Sequence, residues 1–343
     1  MSAKLNWGIL ATGGIARKFA TELPGSRTGR LVAVGSRTPA AAAKFAADFP
    51  GTRAHGSYEA LLADPEVAAV YIANPHPGHL EWTLKAAAAG KHILCEKPLA
   101  LNRADTQRMI DAARAHRVFL MEAFMYRCHP QTTRLAELVA GGAIGELRAI
   151  HANFTVPFKF DPAHRIFNKA LGGGAILDLG CYPVSFSRRM AGAANGKTFA
   201  EPLSFHGSGR LNAATGADEF AAATVAYPGG ITAQLSCSSC TPVEIRCRLL
   251  GSAGWIDVPS PFHPGEPNKP AVIALHRPGG AAPEKIEFAN PQPLYAREAD
   301  TVADAIARGE LEAPAMTHAD TLGNMAVLDA WRAAVGMRYA GEG

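Results

Sequence analysis

Ile93-Leu94-Cys95-Glu96-Lys97-Pro98 is a short apolar run that ends abruptly at a proline. It reads as a buried strand. Pro98 has no N–H and fixes its own φ, so the strand stops there and the chain turns. Lys97 therefore stands at the carboxyl end of a strand, the edge at which open α/β sheets bind ligands. A solvated turn lysine has the same local pattern, so the meaning of the stretch depends on its flanks.

Upstream, residues 5–11 (LNWGILA) form a compact apolar run that fits a first strand. Ala11-Thr12-Gly13-Gly14-Ile15-Ala16 follows and leads into a helix-compatible segment. This is a degenerate dinucleotide fingerprint. Gly13 stands where the backbone must approach a pyrophosphate, Ala16 permits close helix–strand packing, and Ala11 replaces the first glycine. The helix N-terminus offers free amides and a positive dipole end to phosphates. A second strand, Leu31–Gly35, ends in Ser36-Arg37-Thr38. An acidic residue here selects the ribose hydroxyls of NAD, whereas an arginine accommodates a 2′-phosphate. The fork of Arg37 suits phosphate, with hydroxyls of Ser36 and Thr38 beside it. NADP is therefore expected in preference to NAD, although a surface loop arginine fits the same pattern. Residues 67–73 form a third strand, and its carboxyl end carries Ala73, Asn74, Pro75 and His79, placed beside the cofactor. For His79, a helix-start role without contact to the reaction is the plain alternative. Helices are expected at about 39–49, 57–63 (capped by Ser57), 79–89 and 102–116 (capped by Asn102), with a strand at 118–121. This alternation implies a parallel sheet with helices on both faces.

The character changes after residue 122. Residues 1–122 are expected to form a nucleotide-binding domain and 123–343 a substrate domain. A helix near 130–140 and a strand at about 146–155 precede Gly172-Gly173-Gly174, which opens an apolar helix containing Asp178 and Tyr182, four residues apart on one face. Seven short strands then follow between about 201 and 288 without intervening helices, which points to a mostly antiparallel sheet. The Pro/Gly-rich stretches 259–270 and 278–283 read as loops, and helices are expected near 294–308 and 318–336.

Composition agrees with a two-domain globular enzyme. The chain has 343 residues, 48% hydrophobic and 19% charged, with a net charge of +4. No Lys/Arg run marks a nucleic-acid or polybasic membrane surface, and no apolar run spans a bilayer. The start shows no apolar leader. With six cysteines of which only Cys237 and Cys240 form a CxxC, a reducing cytoplasm is expected and no metal site.

An alcohol-oxidising nicotinamide enzyme needs a group to take the hydroxyl proton. Tyr182 is the candidate. Free tyrosine titrates near pH ~10, and a nearby ammonium favours the phenolate. Lys97 is placed to supply that charge, and Asp178 to hold substrate hydroxyls or to orient Lys97. A tyrosine at a domain interface and an aspartate capping a glycine turn are the structural alternatives.

With these residues assembled, the chain resembles the Gfo/Idh/MocA oxidoreductases, and within them the branch of dimeric dihydrodiol dehydrogenases and NADP-dependent D-xylose 1-dehydrogenases. The similarity lies in GILATGGIA (8–16), GSRT (35–38), residues 73–102 ending in ILCEKPLALN, EAFMYRCHPQ (122–131), RIFNKALGGGAILDLGCYP (165–183) and MAVLDAWRAAVGMRY (325–339). The resemblance implies a Rossmann domain followed by an α/β domain with an open, largely antiparallel sheet. It implies Lys97 as the catalytic lysine, Asp178 and Tyr182 as the DxxxH/Y motif, and Arg127 and Arg165 on the substrate side. Cofactor contacts would come from Ala11 to Ile15, Ser36 to Thr38, Ala73 to Pro75, His79, Glu96 and Lys97. A homodimer through the second-domain sheet is also implied, as is an NADP-dependent dehydrogenase of a sugar or cyclic vicinal diol. The alternatives are an NADPH-dependent reductase of a keto- or anhydro-sugar and, in another class, a non-catalytic NADP-binding sensor or scaffold. Lys169 departs from the branch, which often has proline there.

Overall fold

The computed structural model describes residues 4–265, 269–280, 282–289, 291–340 and 342. The parts of the two expected loops at 266–268 and 281 lie outside the described residues. The chain divides into two compact units, residues 1–128 with 291–322, and 129–290 with 323–343.

Unit one is built on a six-stranded parallel sheet: β1 (Leu5–Leu10), β2 (Gly29–Gly35), β3 (Arg53–His55), β4 (Ala69–Ile72), β5 (His92–Glu96) and β6 (Leu120–Ala123). Its order is β3-β2-β1-β4-β5-β6, so the direction of winding reverses between β1 and β4. A ligand crevice is expected outside the carboxyl ends at such a switch point. The crossovers carry α1 (Gly14–Glu22), α2 (Pro39–Ala47), α3 (Tyr58–Leu62), α4 (His79–Ala88) and α5 (Arg103–Ala115). Thr38, Ser57 and Asn102 cap α2, α3 and α5 by accepting amides three residues on, at 3.3, 3.0 and 2.9 Å. Strands β4 and β5 are buried on both faces apart from the half-buried His92, which explains their unbroken apolar runs. The short, polar β3 carries too little apolar signal to be expected from sequence.

The expected division at residue 122 needs correction. The segment 291–322 returns to unit one. Its helix α8 (Leu294–Ala307) presents Asp300, which accepts the Ser26 hydroxyl at 2.6 Å and the Thr28 amide at 3.0 Å. The Tyr295 amide donates to Glu22 at 2.9 Å, and Leu120 N–H donates to the Leu311 carbonyl at 3.0 Å.

Unit two contains α6 (Pro130–Ala140), β7 (Leu147–Thr155), α7 (Cys181–Ala194), and strands β8 (Ser204–Leu211), β9 (Asp218–Tyr227), β10 (Ile231–Ser238), β11 (Glu244–Gly251), β12 (Gly254–Val258), β13 (Ala271–His276) and β14 (Glu284–Phe288). The eight strands run β14-β13-β12-β11-β7-β10-β9-β8, antiparallel except at β7–β10. Ile231, Ala233, Leu235 and Cys237 of β10 point inward, and Thr232 and Gln234 outward, the alternation of a sheet with one covered face. The last helix, α9 (His318–Ala334), holds the boundary between Leu322 and Gly323. All six cysteines are free.

Candidate active site

The sequence places its nucleotide features at the carboxyl ends of β1, β2 and β4, and the fold gathers these ends at the switch point. Gly13 is extended and Gly14 opens α1; a Cβ on either would meet no atom within 4 Å, so the turn faces open space. No side chain caps α1. Its first amides are therefore left for an anion. Ala11 has a φ of 92°, a backbone conformation that favours glycine. The fingerprint geometry is retained although its first residue has changed. Thr12 and Ile15 are half-buried beside it.

At the end of β2, Ser36 is buried and its amide is fixed to the His55 carbonyl at 3.1 Å. Arg37 is exposed and, among the described residues, has no hydrogen-bond or ion-pair partner. The Thr38 hydroxyl accepts from Ala41, which leaves its O–H to donate. At the end of β4, Ala73 is buried and Pro75 is exposed, and the Asn74 Oδ1 is a buried acceptor without a partner among the described residues. An open glycine turn, an uncapped helix start, an exposed guanidinium and an orphaned amide oxygen fit a dinucleotide.

His79 and Glu96 are turned inward, and their side chains bond within unit one. His79 is fully buried. Its Nδ1 faces the carbonyls of Pro98 (3.1 Å) and Leu99 (3.2 Å), and its Nε2 faces that of Asn74 (2.8 Å). Burial lowers its pKa, and the charge of Lys97 acts the same way against those carbonyls. The ring thus ties the β4 loop to the turn after Lys97. Glu96 accepts the buried Tyr71 hydroxyl and the Lys97 amide. Lys97 itself is half-buried, and its bond to Pro98 is cis.

Glu122, not singled out from sequence, holds the same turn by accepting the Leu99 amide at 3.0 Å. Burial pushes its carboxyl up to about 7, helped by Asp320 and opposed by Thr321, the Leu99 amide and Arg127. The folded protein keeps this proton after the unfolded chain has released it near 4.5. The resulting stability is fully present below that value and is lost as pH rises to about 7, by at most about 3 kcal/mol. In a Glu122→Gln variant the unfolding midpoint is expected to vary less with pH across this window than in the wild type. An unchanged slope would exclude Glu122 as the source.

Arg127 is buried in the same unit. Its side chain is 3% exposed and pairs with Asp320 at 2.5 Å. Its Nε donates to the Ala315 carbonyl at 3.0 Å. It braces the loop after β6, with its charge neutralised inside unit one.

In unit two, Arg165 forms a two-pronged ion pair with Asp178, at 3.0 and 2.9 Å. The pattern predicted one α-helix through Asp178 and Tyr182. The structure instead has a π-turn, Ile176–Gly180, running into α7. Such turns are rare and concentrate at functional sites. Gly180 permits the packing beneath it, since a Cβ there would lie 3.0 Å from Cys237 Sγ and 3.2 Å from the Trp331 ring. Tyr182 is 5% exposed. Its ring lies 5.1 Å from Phe154 and 5.2 Å from Phe262, and those two stack at 5.3 Å. Lys169 sits in a short 3-10 turn capped by Asn168.

Residues 5–124 match an oxidoreductase family with an NAD-binding Rossmann fold, and residues 132–257 match the GFO/IDH/MocA C-terminal domain. The chain is 34% identical over 334 residues to an uncharacterised oxidoreductase of Rhizobium meliloti, covering 95% of each. It is 33% identical over 342 residues to the trans-1,2-dihydrobenzene-1,2-diol dehydrogenase of Mus musculus, covering 98% of each. A 3-ketoreductase of Actinomadura kijaniata, solved with NADP and TDP-benzene, superposes with a TM-score of 0.85 at 28% identity, covering 98% of this chain and 99% of that one. An aldose–aldose oxidoreductase of Caulobacter crescentus solved with glycerol shares the fold, with a TM-score of 0.85 at 24% identity, covering 97% and 98%.

Proposed function

The chain belongs to the GFO/IDH/MocA oxidoreductase family, and from that premise we propose that it is an NADP-dependent dehydrogenase of a sugar or cyclic vicinal diol. The observation that carries the proposal is the π-turn that sets Asp178, paired with Arg165, one turn before Tyr182 in an aromatic wall. A bound nicotinamide would supply the hydride acceptor. Tyr182 takes the proton of the substrate hydroxyl as the carbon loses its hydride, and the carbonyl product leaves. We assign Lys97 to assist this transfer, since an ammonium brought near a phenol favours its phenolate. Asp178 and Arg165 offer an acceptor and a donor fork to neighbouring hydroxyls. The buried rings of Phe154 and Phe262 pack against Tyr182 and fix the plane of its phenol.

Run in reverse, the same residues reduce a keto- or anhydro-sugar, the sense in which the Actinomadura relative is named. The NADP preference rests on the unpartnered Arg37. The open face of the eight-stranded sheet supports a homodimer, and the six free cysteines support a reducing, cytoplasmic setting.

Deuterium transfer tests the reaction itself. A cyclic diol or aldose deuterated at the carbon that is oxidised is expected to leave its deuterium on the reduced nicotinamide. Deuterium recovered only in solvent would refute direct transfer. NADP binding without turnover of any sugar or diol would favour the sensor alternative.

A further inference from the structure

The start of the helix that carries Asp178 and Tyr182 is held by side chains from distant parts of unit two. Gly172-Gly173-Gly174 forms the turn before it. Gly172 has a φ of 72° and Gly174 of 140°. A Cβ on Gly174 would fall on the Asp218 carboxylate, and one on Gly173 would fall on the Arg165 carbonyl. The turn is therefore closed in from two sides. Asp218, first residue of β9, is 1% exposed and accepts the Ile176 amide at 2.6 Å, so it caps the π-turn from across the unit. From the chain's end, Tyr339 donates its hydroxyl to both turn carbonyls, Gly172 at 3.2 Å and Gly173 at 3.0 Å.

The tail that brings Tyr339 there is itself latched. Arg332 of α9 pairs with Glu342 at 2.7 and 3.0 Å and with Asp329 at 2.8 Å. Its guanidinium lies 4.9 Å from the Tyr339 ring centroid. The Tyr339 amide donates to Glu342 at 2.9 Å. Tyr339 is 5% exposed. Burial, with Asp218, Glu342 and Asp178 nearby and only Arg332 opposing, holds its phenol far above the usual tyrosine range, so it remains a donor at any working pH.

We propose that Tyr339 is a positioning residue: the latched C-terminal tail clamps the Gly172–Gly174 turn and so sets where the π-turn presents Asp178 and Tyr182. The inference rests on Tyr182 being the acid/base. The clamp bonds to the glycine turn and within the tail itself. Its effect comes through placement, to which catalysis is steeply sensitive, with a shift of about 1 Å able to cost ~10²-fold. A merely structural tyrosine would instead contribute to the stability of the whole unit.

The test compares wild type with Tyr339→Phe, which removes only the hydroxyl. Amides of 174–182 are expected to exchange with deuterium on the order of tenfold faster, because one buried hydrogen-bonding group is lost. Other peptides of unit two should be unchanged. With the best-turned-over sugar or diol, kcat should fall on the order of tenfold, with calorimetric NADP affinity unchanged. Unchanged exchange at 174–182, acceleration spread across the whole unit, or local acceleration with full kcat would each overturn the proposal. Failure of the Tyr182 reading shows itself separately, as a full-activity Tyr182→Phe enzyme. The exchange data then decide whether Tyr339 holds the turn.

Discussion

Replacing Lys97 by alanine is expected to lower kcat by about 10²–10⁴-fold while NADP still binds. The argument starts from where the lysine is held. His79 and Glu122 fix the backbone directly after it, through the carbonyls of Pro98 and Leu99 and the amide of Leu99. Glu96 accepts the amide of Lys97. A backbone anchored on both sides fixes where the lysine side chain begins, which narrows the positions its ammonium can reach. The residues proposed to bind the phosphates lie on other loops, at Gly13–Gly14 and Arg37, so nucleotide affinity should survive. Tyr182→Phe is expected to fall in the same range, because it removes the proposed proton acceptor itself. If the two residues act as one unit, the double variant should be little worse than the worse single one. Fully additive losses would assign them to separate tasks. Steady-state rates at saturating NADP, paired with calorimetry, give both quantities.

Arg37→Asp is expected to weaken NADP by about 10–100-fold and to leave NAD nearly unchanged. A hydrogen bond to a charged group is worth about 1.5–3 kcal/mol, and the reversed charge adds repulsion toward the 2′-phosphate. The carboxylate is also the group that binds a ribose hydroxyl pair. The backbone at Ser36 is anchored to His55, and Thr38 caps α2, so the substitution changes the side chain without moving the loop. Equal losses for the two dinucleotides would remove the phosphate role.

Much of this molecule is legible in its sequence because period and punctuation are local. The apolar runs of unit one, the caps at Ser57 and Asn102, and the alternating strands of unit two all follow from neighbours within a few residues. What escaped depends on contacts over long separations. Asp300 meets Ser26 and Thr28 more than two hundred residues away, and no local signal returns 291–322 to the first unit. The resemblance implies Arg127 on the substrate side, and no local signal shows that Asp320 pairs with it in the interior. His79 and Glu96 have suitable chemistry near the cofactor loops, yet their strand and helix positions turn them inward. The π-turn is invisible to an (i, i+4) pattern, because Asp178 and Tyr182 share a face in either helix. Tyr339 and Asp218 carry no motif of their own. Only the fold shows what they hold.

The central claim is NADP-dependent hydride transfer with a sugar or cyclic diol, and reduced-nicotinamide absorbance tests it most directly. Purified wild type and Lys97→Ala are each mixed with NADP or NAD and a panel of aldoses, inositols and trans-dihydrodiols, then with NADPH and keto-sugars. The expected result is turnover in the wild type, faster with NADP than with NAD, and its collapse in Lys97→Ala. Turnover that persists in Lys97→Ala, or a wild type that binds NADP and turns over no member of the panel, would contradict it.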